Sequence, residues 1–153
     1  MIGTAIAAIA LGPWHGALVG LLTNLLGTLD GNVETLPFVL VNIVGALVWG
    51  YGYHHFGGNR GRSRFLLLAL TVAVCCTLVA TPLTMAVFGG EADHAGDVYA
   101  SLLTEDGIPL SVAVFMVNLL LSVIDKLLTS YASLLVARPL GDIRVNRTTA
   151  LTI

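Results

Sequence analysis

The last long apolar stretch of the sequence carries a line of polar side chains that could hold a small molecule. Asn118, Ser122 and Asp125 are spaced i, i+4 and i+7, so a helix would place them on one face, and Thr129 continues the line. Lys126 directly follows Asp125. Neighbouring helical residues do not face each other squarely, so we expect each charge to have a partner on another helix or in a water-filled cleft. The pattern leaves structural pairing and ligand binding equally open.

Catalytic, metal and nucleic-acid chemistry find little support in the sequence. Ser122 has no histidine on its face to act as a base. His15 and the pair His54-His55 have no cysteine or carboxylate at ligand spacing, so we interpret them as polar residues at the membrane surface. Segment 57–61 lacks the Lys-Ser/Thr pair that completes a phosphate-binding loop. We predict no catalytic residue, no metal and no cofactor, and the sequence has no long basic run to bind nucleic acid.

A second polar position lies near the start of the chain. Gly16, Gly20 and Asn24 recur every four residues and share one helix face. Two glycines at this spacing let another backbone approach closely, and Asn24 could then form a hydrogen bond across the contact. We interpret the face as a helix-packing seam, with a ligand-binding wall as the alternative.

A third polar position lies on the next apolar stretch. Asn42, Gly45, Trp49 and Tyr53 fall on one helix face. Trp49 and Tyr53 are near the end of that stretch, where aromatic rings commonly lie at the membrane interface. A stacking platform for a flat ligand is the alternative interpretation.

The composition predicts that helices crossing a membrane hold these residues. The 153 residues are 56% hydrophobic and only 10% charged, and the mean hydropathy is +0.90. A soluble domain carries about a quarter charged residues, so a water-exposed globular surface is excluded. We predict an all-α, polytopic transmembrane bundle in one domain over residues 1–140, followed by a cytoplasmic tail over 141–153.

Apolar runs and breakers divide the chain into about five membrane helices, within a range of four to six. Gly12-Pro13 interrupts the first run, because helices usually end before a proline. We favour two separate pieces there, as in a protein that lacks an upstream helix, over one kinked helix. The predicted segments are Met1–Leu11, Trp14–Leu29, Pro37–Phe56, Phe65–Phe88 and Ile108–Ala137.

The connecting segments alternate in charge, which predicts the orientation. Residues 30–34 and 91–106 are acidic, whereas 60–64 and 138–147 are basic. Positive loops stay in the cytoplasm, so the basic segments and the C-terminus are predicted inside. The segment Gly89–Gly107 is long enough to act as a lid on the outer side. A kink at Pro82 would open a cavity beneath it.

The segment 11–20, Leu-Gly-Pro-Trp-His-Gly-Ala-Leu-Val-Gly, followed by Asn24, resembles the helix–turn–helix of S components, the substrate-binding subunits of energy-coupling factor (ECF) vitamin transporters. Gly89-Gly90 and the pair Asp125-Lys126 are also similar to that family, and a related module serves as the sensor of some bacterial histidine kinases. The resemblance implies a six-helix protein of the bacterial inner membrane. It would bind a vitamin or similar molecule from outside and dock onto a transmembrane coupling subunit driven by ATPase subunits.

We therefore predict a membrane-embedded solute-binding subunit of an uptake system. Its partners would be a small-molecule solute, the lipid bilayer and the coupling and ATPase subunits. The alternative is a structural or sensory subunit that transports nothing and binds partner helices through Gly16, Gly20 and Asn24. The predicted solute-binding residues are Asn24, Asn42, Asn118, Ser122, Asp125 and Lys126.

Overall fold

The computed structural model describes residues 1–31, 33–57, 61–90 and 95–150. These ranges contain no strand, which confirms the all-α prediction. A short 3-10 helix, Val33–Thr35, connects the second and third of the helices. Arg60, Glu91 and Asp93, which entered the charge pattern, lie outside the described residues, as does the end of the predicted tail at 151–153. The α-helices are α1 Ile2–Ala10, α2 Pro13–Leu29, α3 Val39–His54, α4 Arg62–Phe88, α5 Ala95–Glu105 and α6 Leu110–Ala150.

Within the described ranges, two helices are long and apolar enough to cross a bilayer, which needs about 20 residues. They are α4, with 27 residues, and the 24-residue part Leu110–Ser133 of α6. The apolar helix α3 has only 16 residues and is shorter than the predicted Pro37–Phe56. The architecture is the predicted helical bundle, with some of its helices shorter than the bilayer is thick.

The first two helices form a tight hairpin. Gly12 has φ +115°, which a residue with a side chain rarely adopts, and Pro13 occupies the first turn of α2. A Cβ on Gly16 would lie 2.5 Å from the Cβ of Ala8 in α1, so only glycine allows this close approach. The preference for two separate pieces is confirmed, and the alternative of one kinked helix is wrong.

The core of the bundle forms where α1 packs between its neighbours. This nine-residue helix contacts α2, α3 and α6, while α4 packs against both α3 and α6. Trp49 of α3 is fully buried there, with its ring 5.4 Å from that of Phe65 in α4. The expectation that Trp49 lies at the membrane interface is therefore wrong. Small residues of α1, such as Ala5 and Ala8, leave room for the indole.

Two element predictions near the C-terminal half are also corrected. The expected loop Gly89–Gly107 contains α5, because Gly96, Ala100 and Leu103 recur at i, i+4 and i+7 and give this segment a face that can pack on α6. The last helix was expected to end before Pro139 but continues to Ala150. A proline removes one backbone donor and disfavours a helix interior without always ending the helix.

Candidate functional site

A small cavity lies between α5, the first turns of α6 and the last turns of α4. Its volume is about 60 Å³. We call it the α5 cavity, because α5 covers it. Its lining residues are Phe38, Thr84, Gly96, Asp97, Ala100, Val114, Val117, Asn118 and Leu121.

Small residues bring α5 directly onto α6. A Cβ on Gly96 would lie 3.1 Å from side-chain carbons of both Val117 and Leu121. Ala100, one turn further along α5, is 4% exposed and packs with Val114 and Val117. The cover of the cavity therefore rests on a narrow strip of small side chains.

The α5 cavity contains a buried amide that has no hydrogen-bond partner. Among the atoms that the structure describes, Nδ2 of Asn118 is buried and bonds to nothing. Thr84 is 4% exposed beside it. One turn earlier on α4, the hydroxyl of Thr81 is also buried without a partner. An unsatisfied buried donor costs about 1–3 kcal/mol, so a ligand that accepts a hydrogen bond from Asn118 would recover that energy.

The backbone around Asn118 is fixed by α4. The hydroxyl of Thr77 donates to the carbonyl of Ala73 at 2.9 Å and lies 3.5 Å from the carbonyl oxygen of Asn118. Thr77 is fully buried, so this contact lies inside the α4–α6 interface. It connects the α6 backbone at Asn118 to α4.

The charged pair of α6 lies away from the α5 cavity. Nζ of Lys126 is 2.6 Å from Oδ2 of Asp125, and the amino group of Met1 is 4.0 Å from Oδ1. Lys126 is 4% exposed, whereas the side chain of Asp125 is 45% exposed. The expectation that Lys126 has its partner on another helix or in a water-filled cleft is wrong, because the long lysine side chain folds back onto its neighbour.

A buried polar band continues along α6 beyond the charged pair. Thr129, Ser130 and Ser133 are each at most 2% exposed. Ser130 donates to the carbonyl of Lys126, while the hydroxyls of Thr129 and Ser133 have no partner among the described atoms. Ser122, between Asn118 and this band, is only partly buried. The predicted polar stripe is therefore divided between the α5 cavity and the bundle interior.

The remaining predicted residues lie at the contact between α2 and α3. Asn24 is 9% exposed, and its Nδ2 has no partner within the described structure. A Cβ on Gly20 would lie 3.1 Å from the Cβ of Asn42. Gly16 faces α1 and Gly20 faces α3, so this face is covered within the chain. It is not open to a partner helix, as the structural alternative requires.

A larger groove, which sequence reasoning missed, runs between α3 and α4. It has a volume of about 690 Å³ and opens on the side of the bundle. The spacing from Arg64 to Cys75 gives it a length of about 16 Å at 1.5 Å per residue. Gly52, which packs against Leu68, was the one signal of close helix contact there. We call it the α3–α4 groove, and it is lined by Leu47, Val48, Tyr51, Gly52, Phe56, Arg64, Leu67, Leu68, Thr71 and Cys75.

Membrane-length apolar helices around an internal cavity define a helical membrane protein. The chain belongs to the family of ECF transporter substrate-specific components, whose model matches residues 1–141 of its 153. The family resemblance is thereby confirmed. Members of this family are membrane-embedded transport subunits, not a class of enzymes, and they bind a small-molecule substrate and associate with other ECF components. Comparisons with curated proteins and with solved structures gave no match.

Proposed function

We propose that this chain captures a vitamin or similar small molecule in the α5 cavity and delivers it to an ECF-type coupling subunit. The observation that carries the proposal is Asn118, which lines a cavity under a short cover helix and whose buried Nδ2 has no partner among the described atoms. In this proposal the coupling subunit and the ATPases are other chains. Asn118 orients the solute, and Ser122, one turn further along α6, extends the polar surface.

The size of the α5 cavity implies that the structure represents a closed state. Ligand pockets usually measure about 300–1,000 Å³, whereas this cavity measures about 60 Å³. Since a water molecule occupies about 30 Å³, the cavity has room for about two. A vitamin would enter only if α5 moved away from α6. Such a movement would separate Gly96 and Ala100 from Val114 and Val117 and expose the apolar surface between them.

An aromatic pair at the edge of the α5 cavity could contribute to recognition. Phe38, which lines the cavity, stacks on Phe88 with ring centroids 6.0 Å apart and planes 9° from parallel. Apolar rings and a few placed polar groups are the usual lining of a small-molecule site. The combination suits a flat, partly apolar solute that also accepts a hydrogen bond from Asn118.

The proposed orientation follows from charge. Arg62 and Arg64 begin α4, and Phe88 ends it about 40 Å away at 1.5 Å per residue. If positive residues stay in the cytoplasm, the α5 cavity faces the outside of a bacterial inner membrane, and α6 leads towards a cytoplasmic C-terminus. Solute would then be captured on the side from which uptake begins.

The test is solute retention and binding by the full chain in detergent. Native mass spectrometry of gently extracted protein should show a bound metabolite, which is then titrated back onto the emptied protein. Asn118→Ala should weaken binding about tenfold, because the ligand loses a buried hydrogen bond. Thr23→Ala is the control, since the exposed Thr23 hydroxyl bonds only to the carbonyl of Val19 in its own helix.

Three outcomes would contradict the proposal in different ways. If the protein retained no metabolite and bound no member of a vitamin panel, the solute-binding function would be wrong. If a solute bound equally well to the wild type and to Asn118→Ala, the function would stand but the α5 cavity would not be its site. A stoichiometric protein partner without any metabolite would favour the structural alternative.

A further inference from the structure

We propose that the α3–α4 groove binds one anionic phospholipid, with an acyl chain along the groove and the phosphate at Arg64. The site is separate from the α5 cavity, and the inference does not depend on which solute the protein carries. None of the ten residues that line the groove lines the α5 cavity.

The shape of the α3–α4 groove suits a hydrocarbon chain. It is elongated, and most of its wall is apolar, with Leu47 and Val48 from α3 facing Leu67 and Leu68 from α4. It is open along its side, and Leu67 at its rim is 64% exposed. In a membrane protein this rim faces lipid, so a chain can enter laterally without leaving hydrocarbon.

The two ends of the groove differ in polarity. Arg64 and Tyr51 lie towards the end where α4 begins, whereas Leu47 and Cys75 form the opposite end. Arginine binds phosphate through two parallel hydrogen bonds, and the tyrosine hydroxyl can donate one more. No carboxylate is among the described residues that line the groove. A cationic head end and an apolar body match the order of groups in a phospholipid.

Two further features increase the positive potential at the Arg64 end. Arg62 lies two residues before Arg64 and is exposed, so it adds a second cation near this end of the groove. The helix α4 begins there, after Gly61, without a side chain that caps its first amides. Helix N-termini carry a partial positive charge, which adds to that of the arginines without forming a site by itself.

The polarity also favours a lipid over a partner helix as the occupant. Basic pockets between membrane helices bind anionic lipid headgroups, because the bilayer supplies phosphate at the depth where the helices end. A partner helix would not place an anion at the Arg64 end unless its sequence carried an acidic residue there. A phospholipid satisfies both ends of the groove at once.

The first experiment compares two lipids that differ only in headgroup charge. Delipidated full-length protein in detergent is titrated with phosphatidylglycerol and with phosphatidylcholine of identical acyl chains, and binding is counted by native mass spectrometry. We expect phosphatidylglycerol to bind about tenfold more tightly, and Arg64→Gln to remove most of that preference. Arg62→Gln is the control, because it removes the same charge just outside the groove and should cost less.

The second experiment locates the acyl chain. Phosphatidylglycerol with a photoreactive group in one chain should form adducts in peptides that contain Leu47 or Cys75. Thr71→Trp, which fills the groove from an exposed position on α4, should abolish those adducts. Unchanged thermal unfolding of each variant shows that the bundle is intact.

Several outcomes would overturn the inference. Equal affinity for the two lipids, or adducts spread over the whole surface, would show unspecific contact. Full displacement by inorganic phosphate would show an anion site without an acyl chain. Cross-links from Thr71 or Cys75 to a co-purified protein, with no lipid adduct, would show that a partner chain occupies the groove.

Discussion

The α5 cavity and the α3–α4 groove both border α4, and they differ in ways that separate two kinds of ligand. The cavity measures about 60 Å³, is covered by a helix and is lined by Asn118, whose buried Nδ2 has no partner in the described part of the chain. The groove measures about 690 Å³, is open along its side and has its arginine at one end. Volume alone would place the solute in the groove. We propose the cavity instead, because it contains a buried hydrogen-bond donor that can orient a solute, and we propose the groove as the site of an amphiphile.

The two regions also differ in what holds them in shape. The groove lies between α3 and α4, which pack through Gly52 against Leu68 and through Trp49 against Phe65. The cavity depends on α5, whose main helix contact is with α6. A site that admits and releases a solute needs a cover that can open locally, and α5 is the element that would have to open.

The largest effect is expected from locking the cover of the α5 cavity. In a background without Cys75 and Cys76, Gly96→Cys and Val117→Cys should form a disulfide across the α5–α6 contact, since the Gly96 Cβ position lies 3.1 Å from the Val117 side chain. If locking lowers the population of the open state about a hundredfold, apparent solute affinity falls about a hundredfold. Titration of the oxidised and the reduced protein measures the difference.

The reduced double variant is the internal control for this lock, because it contains the same substitutions. Lipid binding to the α3–α4 groove should not change on oxidation. Equal solute affinity before and after oxidation would mean that the solute does not enter beneath α5, and the distinction between a covered and an open site would fail.

The residues that define the two regions were predictable to different degrees. Asn118 could be found, because an amide within an apolar helix stands out by type alone. The sequence could not show that Asn118 lines a cavity from which Asp125 is absent. The i, i+4, i+7 spacing fixes only the face of the helix on which each side chain lies. Which neighbour covers each turn depends on tertiary packing. The structure places α5 over Asn118, whereas Lys126 is buried without lining the cavity.

The helices were predictable where apolar runs ended at strong breakers. Gly12-Pro13 marked the boundary of α1 and α2 correctly, since the conformation at Gly12 requires glycine. The helix α5 was missed because its segment is short and carries glycine and acidic residues, and its helical conformation is stabilised by packing on α6. Trp49 was misplaced because an aromatic near a helix end can lie at the interface or in the core, and only the small residues of α1 decide between them.

A smaller effect, confined to the groove side, is expected from Gly52→Ala. The added Cβ would overlap the Leu68 side chain, so α3 and α4 must shift apart or Leu68 must move. Overpacking of this kind costs about 1–3 kcal/mol. We expect a lower thermal unfolding temperature and weaker lipid binding, while the folded fraction keeps its solute affinity.

Gly3→Ala is the matched control, because nothing lies within 4 Å of its Cβ position on α1. Alanine is the better helix former by about 1 kcal/mol, so this variant should be neutral or slightly more stable. If the folded Gly52→Ala protein bound the solute more weakly than the wild type, the cavity and the groove would be coupled. They should then not be treated as independent sites.

The smallest effect is expected from the double variant Asp125→Leu/Lys126→Met, which removes an ion pair that lines neither region. Both residues lie in the membrane-length part of α6, so replacing only one of them would leave a charge there without its partner. Replacing both members of a buried ion pair by apolar side chains is often close to neutral, because the desolvation cost disappears with the pair. We expect solute and lipid affinities to change by less than about twofold, measured on the same titrations. A tenfold loss of solute affinity with unchanged unfolding temperature would mean that the solute reaches past Ser122 to the charged pair, and that the α5 cavity is only the entrance to a longer site.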